Sequence, residues 1–287
     1  MLLQQVLQGL MEGVTLFLIA SGLTLIFGVS RIVNFAHGSF YMLGAFLTFQ
    51  LHGRLWAGSV GGFLLTIVAS ALVVAALGVL FEFFVLRRVY RSEELMQLVI
   101  TVGLVLIVED AVRFIWGQDD VTVPVPAALQ GALVVKGTYF PLYQLAIVLV
   151  GIAVLGAMWL ALRYTRAGII LRAATDDRGM VALLGINQAT VFTAVFAVGS
   201  FLAGLAGGLA AAFESVNFLL DSRIIVAAFI VVVIGGLGNL YGALLGALAV
   251  GVVKALGLLW APRLSMVLIF LVMAAVLMTR TLRRGTE

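Results

Sequence analysis

Cysteine is absent from the 287 residues, and histidine occurs only at His37 and His52. The first absence excludes disulfide frameworks, thiolate nucleophiles and Cys-ligated metal sites, while leaving the redox compartment open. Two histidines are too few for a convincing metal site. Charge is scarce as well: Asp, Glu, Lys and Arg make up 10% of the chain, against roughly 25% in soluble domains. The first eleven residues hold neither Lys nor Arg, so the basic start of a cleavable signal peptide is missing and the beginning is expected to be mature protein. Polar stretches are short, the longest running from 117 to 142, so no separate ATPase or binding domain is expected within the chain.

What fills the sequence is apolar surface: 63% of residues are hydrophobic and the mean hydropathy is +1.22. Such a chain must be solvated by lipid. A helix needs about 20 apolar residues to cross the hydrocarbon core. Segments of that kind fall at about 10–29, 35–51, 59–81, 95–116, 143–162, 188–213, 224–236, 241–259 and 264–279. Runs such as Gly61 to Phe81 are apolar on every face, which excludes the alternating pattern of a membrane barrel. The expected fold is all-α: a polytopic transmembrane bundle of eight or nine membrane segments forming one domain over 1–287. The seventh segment is short and runs into Gly235, Gly236, Gly238 and Gly242, so a broken or re-entrant helix is expected there.

The net charge of +4 comes from basic residues spread among the loops, which reads as membrane topology and not as nucleic-acid binding. Three clusters carry it: Arg87, Arg88 and Arg91; Arg163, Arg166, Arg172 and Arg178; Arg280, Arg283 and Arg284. Basic residues near membrane ends are retained in the cytoplasm. Placing all three clusters inside leaves the 117–142 loop outside, with Asp119, Asp120, Pro124, Pro126 and Pro141 and a single basic residue, Lys136. An even number of crossings then separates the inner 163–187 loop from a cytoplasmic C-terminus, and nine crossings put the N-terminus outside.

The most informative polar segment is Tyr164 to Asn187. Asp176 or Asp177 can cap a short helix from Arg178 to Leu184, and Gly185 is placed to end it. Met180, Val181, Leu183 and Leu184 give that helix an apolar side that wants a partner. The order Arg166-x-Gly168-x-x-x-Arg172-Ala173-x-x-x-Asp177, then Ala182-x-Leu184-Gly185-Ile186-Asn187, resembles the cytoplasmic coupling loop of LivH-type permeases, subunits of branched-chain amino acid ABC importers. The resemblance implies that Arg166, Gly168, Arg172, Ala173, Asp176, Asp177, Leu184, Gly185 and Asn187 belong to a loop that docks on ATPase subunits.

Two further stretches carry the same resemblance. Gly22-Leu23-Thr24-Leu25-Ile26-Phe27-Gly28 followed by Asn34-Phe35-Ala36-His37-Gly38 is similar to the N-terminal signature of the family. Polar groups at a hydrocarbon boundary are costly unless protein, water or the interface satisfies them. Asn34, His37 and Gly38 can therefore line the translocation path or its gate. Alternatively they form a turn in which Asn34 caps the next helix, Arg31 snorkels to headgroups and Gly38 allows close packing. Gly235-Gly236-Leu237-Gly238 with Gly242, Ala243 and Gly246 is the third match. Gly242 and Gly246, four apart, admit close helix approach, as does the stripe Gly199, Ala203, Gly207 and Ala211. Glu82, beside Arg87 and Arg88, and Glu109 with Asp110, beside Arg113, suit pairing better than proton relay.

The family implies a permease subunit that moves a small solute across the inner membrane, most readily a branched-chain amino acid. Its expected partners are two ATP-binding subunits, a second homologous permease and a periplasmic solute-binding protein. No cofactor is expected in this chain, since ATP and magnesium belong to the partner ATPases. Urea, short amides or another small organic solute are alternative cargoes. A secondary transporter or channel working alone is the competing class. An intramembrane enzyme finds no support: there is no H-E-x-x-H pair, no cysteine and no G-x-S-x-G elbow.

Overall fold

The computed structural model describes residues 2–52, 58–90, 92–135, 138–260 and 262–284. Arg91 and Lys136 of the charge map lie outside the described residues. Eleven helices follow in order: α1 Leu2–Ser30, α2 His37–His52, α3 Val60–Phe81, α4 Glu94–Trp116, α5 Leu142–Tyr164, α6 Arg166–Asp176, α7 Arg178–Leu183, α8 Gln188–Ala210, α9 Leu220–Gly235, α10 Leu240–Trp260 and α11 Ser265–Arg284. Each of the nine apolar segments falls largely within one of them. Among the described residues five are long and apolar enough to cross a membrane: α1, α3 with its extension to Val89, α5, α8 and α10. α2 and α9 have 16 residues each, about 24 Å at roughly 1.5 Å per residue, short of a core of about 30 Å.

Two features go beyond the expected set of apolar helices. The 117–142 loop contains an antiparallel hairpin, β1 Ala132–Val135 with β2 Thr138–Pro141, in which Leu133 faces Phe140. The stretch 166–176, expected as part of a loop, is the 11-residue helix α6. It starts because the Thr165 hydroxyl accepts the Gly168 amide at 3.0 Å, an N-cap that satisfies one otherwise free donor.

α1 is the axis of the bundle. Its most apolar 18-residue window is 89% buried, against 17% for α5 at the periphery. Apolar surface alone does not hold helices together in lipid, which is as apolar as leucine, so close van der Waals contact must do so. The α1–α10 crossing is backbone on backbone: a Cβ on Gly13 would stand 2.9 Å from the Ala247 carbonyl oxygen and 2.9 Å from Leu248 Cα. α8 lies between α1, α2 and α3. Its Gly207 rests on the Tyr41 backbone of α2, and a Cβ on Gly204 would come within 3.1 Å of Ala71 Cα in α3.

α3 leaves regular geometry at Glu82–Leu86, one π-helical turn. The wider turn puts Arg87, five residues on, back over Glu82: Nε donates to Oε1 at 3.3 Å. The buried Glu82 carboxylate also accepts from Tyr90 at 2.8 Å and from Thr193 of α8 at 2.7 Å. Burial, then the bond to Glu82, raises the Tyr90 phenol above its ordinary range, so it remains a neutral donor. Near the other end of the bundle Arg113 pairs with Glu109 at 3.9 Å and Asp110 at 3.4 Å. All three carboxylates thus have a basic partner.

Replacing Gly207 by Leu should lower the unfolding temperature in detergent markedly, because overpacking costs about 1–3 kcal/mol even for extra methylenes. Gly61→Leu, at a site with nothing within 4 Å of a Cβ, should leave it unchanged. Glu82→Ala strands three buried or half-buried donors and should cost about 2 kcal/mol, while Arg88→Ala on the exposed side should have little effect.

Candidate functional site

At the α5–α8 end of the bundle, α6 and α7 form a bracket folded back on the helices. Gly168 sits directly on the α5 backbone at Ala161 and Leu162, and the Arg172 guanidinium donates to the Leu162 carbonyl. Asp177 caps α7 by accepting the Met180 amide at 3.1 Å. Gly185 reverses the chain at φ +78°, and Asn187 starts α8 by accepting the Ala189 amide at 2.9 Å. These five residues hold the bracket's shape. The remaining four predicted residues, Arg166, Ala173, Asp176 and Leu184, are exposed. Beside them Met180, Leu183 and Leu184 are 57%, 85% and 72% exposed, whereas Val181 is buried against the bundle. The bracket therefore presents a mixed charged and apolar outer face on a rigid inner face. Replacing Arg172 and Asp177 together consequently disturbs the bracket's own fold, not only its outer contacts.

The inner face is tied to two other elements. Arg31, at φ +59° just past the end of α1, donates to the Thr175 carbonyl at 3.3 Å, and Arg178 donates to the Ser30 carbonyl at 3.1 Å. The α9–α10 turn joins them. It needs Gly236 and Gly238 at φ +94° and +81°. A Cβ on Gly28 would stand 3.1 Å from Gly238 Cα and 3.4 Å from Thr175 Cγ2. Gly242 packs on Gly235 within this corner, and Gly246 one turn later faces the Val231 carbonyl. An apolar cleft of about 450 Å³, lined by Leu25, Leu162, Gly168, Asn187 and Val195 among others, runs between the bracket and α1, α5 and α8.

After α1 the chain returns into the bundle as an extended stretch, and α2 begins level with the middle of α1. His37 Nε2 bonds the Ile19 carbonyl at 3.0 Å. A Cβ on Gly38 would meet the Asp221 carbonyl oxygen at 2.7 Å, so the N-termini of the two short helices α2 and α9 come together there. Asn34 and His37 are wholly buried, and neither amide atom of Asn34 has a protein hydrogen-bond partner among the described residues. These three residues lie inside this subunit and line neither the apolar cleft nor the polar cavity below.

Sequence reasoning missed Asp221, which is 1% exposed and accepts from the Ser39 hydroxyl at 3.0 Å. Its charge sits at two converging helix N-termini, where the peptide dipoles favour an anion. It escaped notice because the apolar run was read from 224, which left Asp221 in a loop. Also missed was a polar cavity of about 200 Å³ at the hairpin end, lined by Gln8, Glu12, Gln144, Glu214 and Lys254 together with apolar walls. Lys254 of α10 pairs with Glu12 of α1. Each is a lone charge in an apolar helix, which was the available signal.

Taken together, length and apolarity define a multi-pass helical membrane protein, with no group of three or more His, Cys, Asp or Glu able to hold a metal among the described residues. The family described as branched-chain amino acid transport system / permease component matches residues 5–277, and the chain belongs to it. It is 31% identical over 268 residues to the high-affinity branched-chain amino acid transport system permease protein LivH of Salmonella typhimurium, covering 88% of this chain and 85% of that one. BraD of Pseudomonas aeruginosa, a protein of the same description, is 31% identical over 265 residues, 89% and 86% of the two chains. LivH of Methanocaldococcus jannaschii, described as probable, is 26% identical over 250 residues, 84% and 76% of the two. No solved structure matches significantly. Members of this family are transport subunits, and an enzymatic role has no support.

Proposed function

We propose that this chain is the inner-membrane permease subunit of an ATP-driven importer of branched-chain amino acids, with the α6–α7 bracket as the docking surface for an ATP-binding subunit. The observation that carries the reading is the outer face of the bracket. Leu183 and Leu184 are among the most exposed large apolar side chains, yet they sit at the end of α7, which Arg178 ties to α1, while Thr175 of the adjoining α6 meets the α9–α10 turn. A partner that covers them gains apolar burial and grips an element connected to the bundle's axis.

On this reading the bracket is cytoplasmic, in keeping with Arg163, Arg166, Arg172 and Arg178 on or beside it and Arg87 and Arg88 at the same end. The 117–142 loop and the N-terminus are then periplasmic, eight or nine segments enter the membrane, and residues 1–287 form one permease domain. A second, homologous permease, two ATP-binding subunits and a soluble solute-binding protein complete the machine. ATP and magnesium act in the partners, and the binding protein does most of the selecting.

Purified with those partners and placed in proteoliposomes, the chain should import L-leucine only when ATP and the binding protein are supplied; uptake by this chain alone, without nucleotide, contradicts the reading. Leu183→Asp with Leu184→Asp should abolish co-purification of the ATP-binding subunits without lowering the unfolding temperature of the permease. Retained binding in that variant rules out this docking face.

A further inference from the structure

The cavity at the hairpin end is an unusual place for ions. Glu12 lies ten residues into α1, and Lys254 lies six residues from the end of α10, both on helices long and apolar enough to cross a membrane. A charge at membrane depth is expensive and marks a solute or ion pathway by default. Pairing Glu12 with Lys254 neutralises one of each sign, but a third charge, Glu214, enters from the segment between α8 and α9 and lines the same cavity. The buried Tyr41 of α2 and Arg223 also act on Glu214, Arg223 as a counter-charge. Arg223 is engaged with Asn217 at 2.5 Å and does not line the cavity.

The segment holding Glu214 is well placed rather than loose. Val121 and Val216 exchange backbone hydrogen bonds at 3.0 and 2.9 Å, and the Val123 amide donates to Ala211 at 3.0 Å. Tyr143, at the start of α5, donates to the Leu209 carbonyl. Gln8 and Gln144 supply neutral donors and acceptors on either side, Ile147 and Phe213 furnish an apolar wall, and the half-exposed Leu258 stands at the rim. A volume of about 200 Å³ lies below the roughly 300–1,000 Å³ of drug-sized ligand sites, a scale suited to one small solute.

From these observations we infer that the cavity between α1, α5, α10 and residues 211–219 is a transit site for a zwitterionic amino acid, Glu214 receiving the ammonium group, Lys254 the carboxylate and the apolar wall the aliphatic side chain. The assignment rests on the transport reading above and deepens it. Separating the two cargo charges between opposite charges of the chain offsets the cost of taking a zwitterion out of water. Glu12 then holds Lys254 in place when the site is empty and shares it when the site is filled. A solute with only one of the two charges leaves a partner in the cavity uncompensated.

The absence of cysteine makes the site directly testable. In the assembled transporter, Leu258→Cys on the exposed rim provides a single reporter thiol in this chain, modified by a small methanethiosulfonate reagent and read by mass. L-leucine at four times its dissociation constant should slow modification about fivefold by mass action. Isoamylamine and 4-methylpentanoate, each lacking one charge, should protect little at the same concentration. Adding Glu214→Gln or Lys254→Met should remove the protection by leucine.

Equal modification with and without saturating leucine overturns the site, as does protection that survives both substitutions. Should those variants fail to assemble, the charge-retaining Glu214→Asp must weaken protection, and full protection there overturns the assignment. Leucine import by the unsubstituted complex is measured in parallel. Import without protection rejects the site and keeps the transporter; protection without import rejects the transport reading and keeps a leucine site.

Discussion

Everything in this molecule depends on α1 being approached closely on several sides. In a bilayer the exterior of the bundle is as apolar as its interior, so burial of leucine or valine gives no preference for one helix arrangement over another. Short contacts do, and they require small residues where backbones touch. Gly13 against Ala247 and Leu248, and Gly22 against Gly199, fix α10 and α8 to α1. Once those two are seated, α2 and α3 are positioned by α8 through Gly207 and Gly204. The abundance of glycine, 32 residues in all, is thus concentrated at contacts that replace the hydrophobic drive of a soluble core.

The second consequence is that, apart from the Glu12–Lys254 pair inside α1 and α10, the charged groups of the bundle's interior lie where helices stop or leave regular geometry. α2 and α9 are half-length helices with N-termini meeting beside α1, where the His37 and Gly38 amides turn to the Asn34 and Phe35 carbonyls at 3.3 Å. Asp221 joins the two ends, accepting the Ser222 amide of α9 at 2.7 Å and the Ser39 hydroxyl of α2 at 3.0 Å. The same economy appears at Glu82, where a π-turn spends helical regularity to bring Arg87, Tyr90 and Thr193 onto one carboxylate. Irregular backbone occurs at these places because it is enclosed by protein. A regular helix through 82–86 would point Arg87 away from Glu82, since residues five apart lie on different faces at 3.6 residues per turn.

How much of this could be read in advance follows from the kind of signal involved. Long apolar runs located every major helix, since period and length are local properties. Asp177 as a cap and Gly185 as a stop were legible for the same reason, and both stand where the spacing put them. Helix α6 falls within the coupling stretch, but its bounds were not legible because its stability comes from Gly168 and Arg172 closing on α5, a tertiary contact. The hairpin likewise depends on pairing across the loop. Asp221 and the cluster of Glu12, Glu214 and Lys254 join residues far apart in the chain, so no window of sequence contains them. Each member alone reads as an isolated charge in or beside an apolar helix, and only the fold shows that they share a cavity.

The two candidate working regions are joined by the same pair of helices. α1 carries Glu12 near one end and Gly28 and Ser30 at the other, about 24 Å apart at roughly 1.5 Å per residue. α10 carries Lys254 and, at its start, the turn whose Gly238 meets Gly28 and Thr175. Because α1 and α10 are locked by backbone contact, a force on the bracket that reaches Ser30 through Arg178 and Gly238 through Thr175 acts on both as one body. Glu12 and Lys254 then keep their mutual pairing. The bracket also grips α5 through Gly168 and Arg172, so what such a motion changes is their distance from Glu214, which belongs to the 211–219 segment. On the proposed reading, the bracket's engagement by an ATPase is therefore converted into opening or closing of the cavity along its 211–219 side, while the ion pair across α1 and α10 stays intact through the cycle.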